Sequence, residues 1–271
     1  MGEGGLMSDL TVIILTKNEK LHIRRCLERL APIGASKTYV VDCFSTDGTQ
    51  EIAREMGAEV VEREWPGNQT LQFNWALDNI PVKTKWVLRI DADEWLTSGL
   101  IEEIKQTLPN VDEMVNGFFL KRRLYFSGRW VKKGLYPTRI LRVFRYGHAR
   151  YDDAMSMDEH LIVDGHVSEF KNDFVDESLI DFYDWKLKHV DYAKREAKMA
   201  LSGAMNSNKK VYYKLPPYLR AFAYFCIRYF IRGGVFDGRA GWQWHFWQGL
   251  WYRWIVDREI VHMKRIDRNR S

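Results

Sequence analysis

Short apolar runs alternate with helical patterns through the first hundred residues of this chain. LTVIIL (10–15), TYVVD (38–42), EVVE (59–62) and KWVLRID (85–91) are typical of strands. A run such as LTVIIL, apolar and β-branched throughout, suits a strand covered on both faces, as strands of parallel sheets are. The alternation therefore predicts an α/β, Rossmann-like fold with a mostly parallel sheet flanked by helices.

The segments between these strands have the apolar spacing of helices. Ile23, Cys26, Leu27 and Leu30 fall at positions i, i+3, i+4 and i+7, which lie on one face of a helix. A second helix should end at Gly57, because glycine adopts the left-handed conformation that closes many helices. We expect a third helix through residues 70–80.

The pattern changes after Pro109, and it changes again near Asp176. Longer strands of mixed polarity are expected first, with Asp164-Gly165 as the two-residue turn of a hairpin. From Asp176 onward the chain should be helical and rich in aromatic residues.

These changes predict three segments. Residues 1–7 would be a flexible tail or a remnant of an expression tag. Residues 8–175 would form the domain that carries the functional site, with halves 8–98 and 99–175. Residues 176–271 would form a helical extension, with a surface for a membrane or for a second subunit.

Composition limits the classes of partner. The formal net charge is +5, which suits an anionic partner such as a nucleotide, a phosphorylated substrate or an acidic membrane. The basic residues are scattered and accompany no nucleic-acid-binding motif, so we expect no nucleic acid. The three cysteines form no CxxC pair, which favours a reducing compartment. No uncharged apolar run reaches 18 residues, so no transmembrane helix is expected.

Polar clusters follow all four predicted strands. They are residues 16–19, Asp42, residues 63–69 and residues 91–94. In parallel α/β sheets, ligands bind outside the carboxyl ends of the strands. Four such clusters in succession therefore predict one shared binding crevice.

Asp91 and Asp93 in the last cluster suggest metal chemistry. In an extended segment, residues two apart point to the same side. Two adjacent carboxylates repel each other unless a cation or hydrogen-bond donors neutralise them. Mg²⁺ or Mn²⁺ with nucleotide phosphates would suit the pair. Taken alone, the motif is equally compatible with a solvated acidic turn before the next helix.

The segments VIILTKNE, VVDCFSTDGT and RIDADEWL, in this order and spacing, resemble family 2 glycosyltransferases with the GT-A fold. The finer resemblance is to the bacterial lipopolysaccharide-core β-glucosyltransferase branch, through YPTRILRVFR, EHLIVDG and GGVFDGRAG. It implies an inverting, metal-dependent enzyme that moves a sugar, glucose by this resemblance, from a UDP-sugar. The implied acceptor is a hydroxyl of a surface glycan, such as lipopolysaccharide core, or of a lipid-linked precursor.

The resemblance also implies roles for individual residues. Asp93 would coordinate Mg²⁺ or Mn²⁺, and Asp91 would contact the ribose or a metal-bound water. Asp42 would contact the nucleotide base, although the family often has Asp-Asp where this chain has Asp42-Cys43. The other residues implied to line the donor pocket are Thr16, Asn18, Glu19, Trp65 and Gln69.

Acceptor chemistry is assigned to residues after the metal motif. An inverting transfer needs a general base that deprotonates the attacking hydroxyl. The resemblance favours Glu159, with Asp158 as the alternative. Arg142 would bind the diphosphate or a phosphorylated acceptor, since a guanidinium matches phosphate geometry.

The C-terminal segment combines aromatic and basic residues. Three arginines fall on one side of a predicted helix, and four tryptophans form a stripe on a later one; they are Arg220, Arg228 and Arg232, and Trp244, Trp247, Trp251 and Trp254. Such helices suit the membrane interface. The stripe is also compatible with packing on the catalytic domain or on a second subunit. We expect a cytoplasmic protein, peripheral on the inner face of the cytoplasmic membrane.

Two other functions remain open from sequence. A nucleotidyltransferase would also bind nucleotide phosphates and metal, but it usually begins with a glycine-rich loop, where this chain has LTKNEK. A non-catalytic scaffold on a degenerate transferase fold would not need Asp91 and Asp93. Replacing Asp93 by alanine would separate an enzyme from a scaffold.

Overall fold

The computed structural model describes residues 8–152, 161–203 and 207–268. The chain forms two compact units. One consists of Met1–Arg123 with Pro137–Leu179, and the other consists of Leu124–Tyr136 with Ile180–Ser271. The predicted division at residue 175 stays a prediction.

Strands make up most of the first unit. Within the described residues they are β1 Ser8–Thr16, β2 Ala35–Asp42, β3 Glu59–Glu62, β4 Trp86–Asp91, β5 Glu94–Leu96, β6 Val115–Phe126, β7 Arg129–Val131, β8 Thr138–Arg145, β9 Ala149–Tyr151, β10 Leu161–Val163 and β11 His166–Glu177.

In the described residues, α-helices alternate with the first strands and then dominate the end of the chain. They are α1 Ile23–Leu30, α2 Thr49–Glu55, α3 Gln69–Asn79, α4 Ser98–Thr107, α5 Phe182–Ser202, α6 Ser207–Lys214, α7 Leu219–Cys226, α8 Gly238–Trp244 and α9 Tyr252–Arg268. Wider π-helical turns, Ile227–Ile231 and His245–Trp251, continue α7 and α8.

The main sheet has the order β3-β2-β1-β4-β8-β6-β11-β5. Strands β3, β2, β1 and β4 run parallel, whereas β8 is antiparallel to β4 and to β6, and β5 is antiparallel to β11. The parallel strands predicted from the apolar runs are confirmed, and the strands after Pro109 extend them into a mixed sheet.

Strand β1 is buried on both faces, as its sequence predicts. Val12 and Ile14 belong to one hydrophobic core, and Ile13 and Leu15 belong to the other. This alternation follows from the strand's period of two. The polar residues that follow β1 begin at Thr16, at the carboxyl edge of the parallel strands.

The helical predictions for this half are also confirmed. The four apolar residues of the first helix are all buried on α1. Gly57 has a φ of +83°, in the left-handed region, just after α2. Asn68 caps α3 by accepting a hydrogen bond from the Leu71 N–H at 2.7 Å.

The predicted hairpin at Asp164-Gly165 is wrong. Gly165 does adopt a positive φ of +104°, but β10 pairs with β9 in a separate two-stranded sheet, whereas β11 joins the main sheet. The Asn116 side chain donates a hydrogen bond to the Asp164 carbonyl at 2.6 Å. The dipeptide makes the turn, but contacts distant in sequence decide what each flanking strand pairs with.

The second unit has its own core, in which Ala193 and Ala197 of α5 pack with Ile255, Val256 and Ile260 of α9. No helix within the described ranges is both long and apolar enough to span a bilayer.

The predicted tryptophan stripe packs against aromatic rings of the same unit. The ring pairs and their centroid separations are Trp244 and Phe126 at 5.4 Å, Trp247 and Phe182 at 4.8 Å, Trp251 and Trp185 at 6.3 Å, and Trp254 and Tyr218 at 4.5 Å. Of the four tryptophans, Trp254 alone is exposed. Arg220 and Arg228, two of the three arginines predicted on one side of a helix, are buried.

Candidate active site

The first component of the site is a buried carboxylate at the end of β2. Thr16 and Asp42 are register partners at the carboxyl ends of β1 and β2, and the Thr16 hydroxyl donates to Asp42 Oδ2 at 2.7 Å. Asp42 also accepts hydrogen bonds from the Ser45 N–H at 2.7 Å, the Ser45 hydroxyl at 2.6 Å and the Gln50 amide at 2.7 Å. Asp42 has no exposed surface. Its carboxylate therefore organises the loop after β2, and its contact with a base stays a prediction.

The loop after β1 is tied to the loop after β2. The Asn18 N–H donates to the Ser45 hydroxyl at 2.7 Å, and Asn18 Oδ1 accepts from the Thr46 N–H at 3.0 Å. Asn18 is exposed and has a φ of +56°, which asparagine tolerates better than most residues. The Glu19 N–H donates to the Thr49 hydroxyl at 2.8 Å. The STDGT motif thus holds the TKNE segment in place.

Glu19 belongs to a chain of hydrogen bonds through the buried His22, which the sequence did not suggest. Glu19 Oε2 lies 2.6 Å from His22 Nδ1, and His22 Nε2 accepts the Leu179 N–H at 2.8 Å. Because Nε2 accepts this hydrogen bond, the proton of the neutral ring is on Nδ1 and is donated to Glu19. These hydrogen bonds connect the loop after β1 to the end of β11, 157 residues later in the chain.

The second component is a network of charges around Asp91. Arg89 Nη2 lies 3.3 Å from Asp91 Oδ1, and Arg142 Nη2 lies 3.0 Å from Asp91 Oδ2. Arg142 also pairs closely with Glu94, and both residues are almost fully buried. Burial raises the pKa of Asp91, but the charges of Arg89 and Arg142 outweigh it and hold the pKa below its ordinary value. Asp91 is therefore an anion held in position by two arginines.

Glu94 completes this network. Its Oε2 accepts the Asp91 N–H at 2.9 Å. Burial raises the pKa of Glu94 to about 8, against the opposing effect of Arg142. Arg142 thus pairs with the carboxylates of Asp91 and Glu94. The role of Arg142 in phosphate binding stays a prediction.

Asp93 has a different environment from Asp91. Strand β4 ends at Asp91, and Ala92 and Asp93 form a turn before β5. The argument that both carboxylates share one side of an extended strand is therefore wrong. Within the described part of the chain, the Asp93 carboxylate makes no hydrogen bond or ion pair. Burial and the neighbouring carboxylates, with Asp176 the foremost, raise its pKa well above its ordinary value.

The donor set around Asp93 fits a divalent cation. Several carboxylates repel its charge, and a partly exposed carboxylate without a partner is a hard oxygen ligand. Among the described residues, no group of three or more histidine, cysteine, aspartate or glutamate side chains is placed to hold a metal. The residues therefore suit an ion held by one or two carboxylates and by substrate phosphates rather than an all-protein cage.

Trp65 and Gln69 lie around the start of α3. Trp65 is exposed in the loop after β3, and Gln69 Oε1 accepts from Arg89 Nη2 at 3.4 Å. The fully buried Arg89 also bonds closely to the Tyr151 hydroxyl. In the sequence, Arg89 is marked as unusual because it is a charged residue inside an apolar strand. No sequence feature pointed to Tyr151 as part of the site.

Asp158 and Glu159 lie outside the described residues. Tyr151 and Leu161 flank their segment and are register partners in the small sheet. Among the described residues, Tyr151 contacts Arg89, which pairs with Asp91.

A parallel sheet with such loops at its carboxyl edge is the arrangement of nucleotide-binding α/β proteins. Residues 11–161 match the model of glycosyl transferase family 2. The match covers more than half of the chain, and the protein belongs to this family.

Proteins similar in sequence are also named as glycosyltransferases. The chain is 29% identical over 167 residues to the lipopolysaccharide core biosynthesis glycosyltransferase LpsC of Rhizobium meliloti (strain 1021). This match covers 58% of each of the two chains. It is 39% identical over 100 residues to an uncharacterized glycosyltransferase of Rickettsia bellii (strain RML369-C), covering 37% of this chain and 33% of the relative. The matched region thus spans less than two thirds of these relatives.

A solved structure shares the fold. The mannosyltransferase PcManGT from Pyrobaculum calidifontis, in complex with GDP-Man and Mn²⁺, superposes with a TM-score of 0.52. The superposition covers 93% of this chain and 87% of that one, at 14% identity. The expected GT-A fold, with a helical and aromatic-rich C-terminal region, is confirmed.

Proposed function

We propose that this protein is an inverting, metal-dependent glycosyltransferase. It moves a sugar, glucose in our proposal, from a UDP-sugar to a hydroxyl of a bacterial surface glycan such as lipopolysaccharide core, or of its lipid-linked precursor. Family membership and the name of the LpsC relative support the reaction class and the acceptor. The observation that carries the proposal is the Asp93 carboxylate, which lies among other carboxylates and has no partner in the described chain.

Asp93, with Asp91 beside it, would hold Mg²⁺ or Mn²⁺ together with the donor diphosphate. The ion would act as a Lewis acid that offsets the charge on the departing UDP. Arg89 and Arg142 keep Asp91 ionised and fixed in position, so this carboxylate would orient the ribose or a metal-bound water. In this scheme Arg142 acts mainly by positioning Asp91 and Glu94.

The loops at the ends of β1 and β2 would hold the nucleotide. Asp42 keeps the STDGT loop in one conformation, and that loop holds Asn18 and Glu19 beside Thr16. A loop that is already ordered loses less entropy when the nucleotide binds. Trp65 and Gln69 would line the same pocket from the start of α3.

Glu159 would act as the general base, with Asp158 as the alternative. The base takes the proton of the acceptor hydroxyl as its oxygen attacks the anomeric carbon from the face opposite the diphosphate. The carbon–oxygen bond to UDP breaks, and UDP leaves with the electron pair. An α-linked donor therefore gives a β-linked product.

The lipid-linked acceptor implies a place of action. We propose that residues 8–175 form the catalytic domain and that residues 176–271 hold the enzyme at the inner face of the cytoplasmic membrane. The cationic composition of the second segment supports this placement.

The test is a donor panel. UDP-, GDP- and dTDP-sugars are incubated with the protein in Mn²⁺ or in EDTA, and released nucleoside diphosphate is measured beside calorimetry of nucleotide binding. We expect Mn²⁺-dependent UDP release with one sugar. Asp93→Ala should reduce it by at least about a hundredfold, as other losses of electrostatic stabilisation do, while Asp267→Ala, an exposed aspartate on α9, should not. Absence of nucleotide binding across the whole panel would contradict the proposal.

A further inference from the structure

The helix formed by α7 and its π-helical continuation, residues 219–231, exposes apolar side chains and buries charged ones. Phe222, Phe230 and Ile231 are 54%, 58% and 79% exposed. Arg220 and Arg228 on the same helix are buried. This distribution is the reverse of that of an ordinary surface helix, whose apolar stripe faces the core.

The inward arginines are held by specific partners. Arg220 Nε donates to Asp257 Oδ1 at 2.8 Å, and both side chains are almost fully buried. Arg228 donates to the Gly134 carbonyl at 3.1 Å and to the Tyr224 hydroxyl. Because these contacts determine the orientation of the helix, its apolar side chains are directed outward by the packing of the second unit.

The exposed apolar surface continues onto the next helix. Trp242 of α8 is exposed, and its ring lies 6.0 Å from Phe225 and 5.6 Å from Tyr229 of the preceding helix. Phe236, just before α8, is 82% exposed. We call Phe222, Phe230, Ile231, Phe236 and Trp242 the C-terminal apolar surface.

The exposed charges of the same region are positive. Residues 207–256 contain eight lysines and arginines and a single acidic residue, Asp237. Arg220 and Arg253 pair with Asp257 and Glu196, and Arg228 is buried, but Lys214, Arg232 and Arg239 are exposed. The Asp237 carboxylate already accepts the Lys133 N–H at 2.6 Å. An apolar surface within a basic segment has the composition of elements that bind anionic membrane surfaces.

A basic depression lies on α8 beside Trp242. It encloses about 320 Å³ and is lined by Ser127, Arg129, Arg239, Ala240 and Gln243. Both arginines are exposed, and within the described chain neither forms an ion pair. Two guanidinium groups with a hydroxyl and an amide match the charge and the hydrogen-bonding needs of a phosphate group.

We propose that the C-terminal apolar surface docks on an anionic lipid bilayer and that Arg129 and Arg239 bind a lipid phosphate. A second copy of this chain fits less well, because a two-fold interface would place the same positive surface against itself. The lipid docking depends on the proposed function in one respect, which is that the protein acts at a membrane. It also places the membrane contact on α7 and α8 rather than on the tryptophan stripe.

Vesicle co-sedimentation of the full chain tests the proposal. We expect the protein to sediment with phosphatidylcholine vesicles that contain phosphatidylglycerol, and only weakly with phosphatidylcholine alone. The Arg129→Gln/Arg239→Gln variant should bind the anionic vesicles about thirtyfold more weakly, because each basic residue near such a surface contributes about a fivefold factor. Its control is Lys83→Gln/Lys85→Gln, which removes the same charge from exposed positions in the first unit and should change binding less than about twofold.

The apolar contribution is tested by Ile231→Ser/Phe236→Ser, which should weaken binding to anionic vesicles by at least about tenfold. Met114→Ser, at an exposed apolar site in the first unit, is its control. The proposal is overturned if the parent shows no preference for anionic vesicles, or if the arginine variant binds as well as the lysine control. It is also overturned if ultracentrifugation shows a dimer that the apolar variant dissociates.

Calorimetry with UDP and Mn²⁺ on the same preparations separates the two proposals. Loss of vesicle binding with intact UDP binding in the arginine variant supports lipid docking as a function independent of the nucleotide site. A parent that binds UDP but no vesicles overturns the docking alone. A parent that binds vesicles but no nucleotide supports the docking and contradicts the catalytic proposal.

Discussion

Asp91 and Asp93 should respond in opposite directions when each is replaced by asparagine in the metal-free protein. The pKa of Asp93 is raised well above its ordinary value by burial and by the charges of Asp176, Glu94 and Asp91. Its ionised form therefore destabilises the folded state, and Asp93→Asn removes that cost. The pKa of Asp91 is held low by Arg89 and Arg142 despite burial. Asp91→Asn therefore removes a stabilising charge.

The contacts set the expected magnitudes. Asp91 lies 3.3 Å from one guanidinium and 3.0 Å from the other. Hydrogen bonds to charged groups contribute about 1.5–3 kcal/mol each, and asparagine keeps one acceptor, so Asp91→Asn should cost about 2–4 kcal/mol. A like charge within about 10 Å costs on the order of 1 kcal/mol at an effective dielectric constant near 20, so Asp93→Asn should stabilise by about 1–2 kcal/mol.

The sign of the pH dependence follows from the raised pKa of Asp93. Below the unfolded-state pKa both states carry a neutral carboxyl group, and the penalty is absent. The penalty develops as pH rises from there to the raised folded-state pKa, because only the unfolded chain ionises freely. The increase in the free energy of unfolding caused by Asp93→Asn should therefore be largest above the folded-state pKa and should disappear in acid.

Thermal unfolding in EDTA at pH 8 provides the assay. At about 2–4 °C per kcal/mol for chains of 150–250 residues, the Tm should fall with Asp91→Asn and rise by a few degrees with Asp93→Asn. Mn²⁺ with UDP should then raise the Tm of the parent but not that of Asp93→Asn. If both variants lose Tm equally in EDTA, Asp93 is stabilised by a partner and the electrostatic argument fails.

Two further predictions concern the second unit. Asp257→Ala should lower the free energy of unfolding by about 3–5 kcal/mol, because it leaves the Arg220 guanidinium buried without its counter-charge; urea unfolding measures this, and Asp267→Ala is the exposed control. Burial lowers the pKa of His189 and of His245 to about 4 each, so the unfolded chain takes up these protons first and stability should fall as pH drops from about 6.5 to about 4. His189→Gln should flatten that slope in urea titrations at several pH values, and an unchanged slope would refute the assignment.

The local elements were predictable because their information is local. The apolar run of β1 and the i, i+3, i+4, i+7 spacing of α1 each determine which side of an element can be buried. The polar residues after the strands were predictable as a group for the same reason, since parallel strands place their carboxyl ends at one edge. Thr16 and Asp42 do meet there, as register partners.

The pairing of charges was not predictable from these patterns. Arg142 reaches Asp91 and Glu94 across about fifty residues of sequence, and His22 reaches Leu179 across 157. Periodicity states which face a residue occupies, but not which residue of another strand lies opposite. The error at Asp164-Gly165 has the same origin, because a turn motif does not specify the neighbour of each strand.

The C-terminal helices show the limit most clearly. The sequence contains the arginines and the aromatic residues at helical spacing, and that spacing alone determines that they occupy different faces of α7. Which face turns inward depended on Asp257, 37 residues later, whose buried carboxylate pairs with Arg220.

The sequence by itself thus determined the secondary structure of the first hundred residues and the chemical groups at the carboxyl edge of their parallel strands, because hydrophobic periodicity and turn residues act over a few positions. Only the tertiary structure decided which carboxylates are neutralised and which face is exposed. Desolvation is the physical reason: a charge removed from water must find its partner among residues that folding brings together.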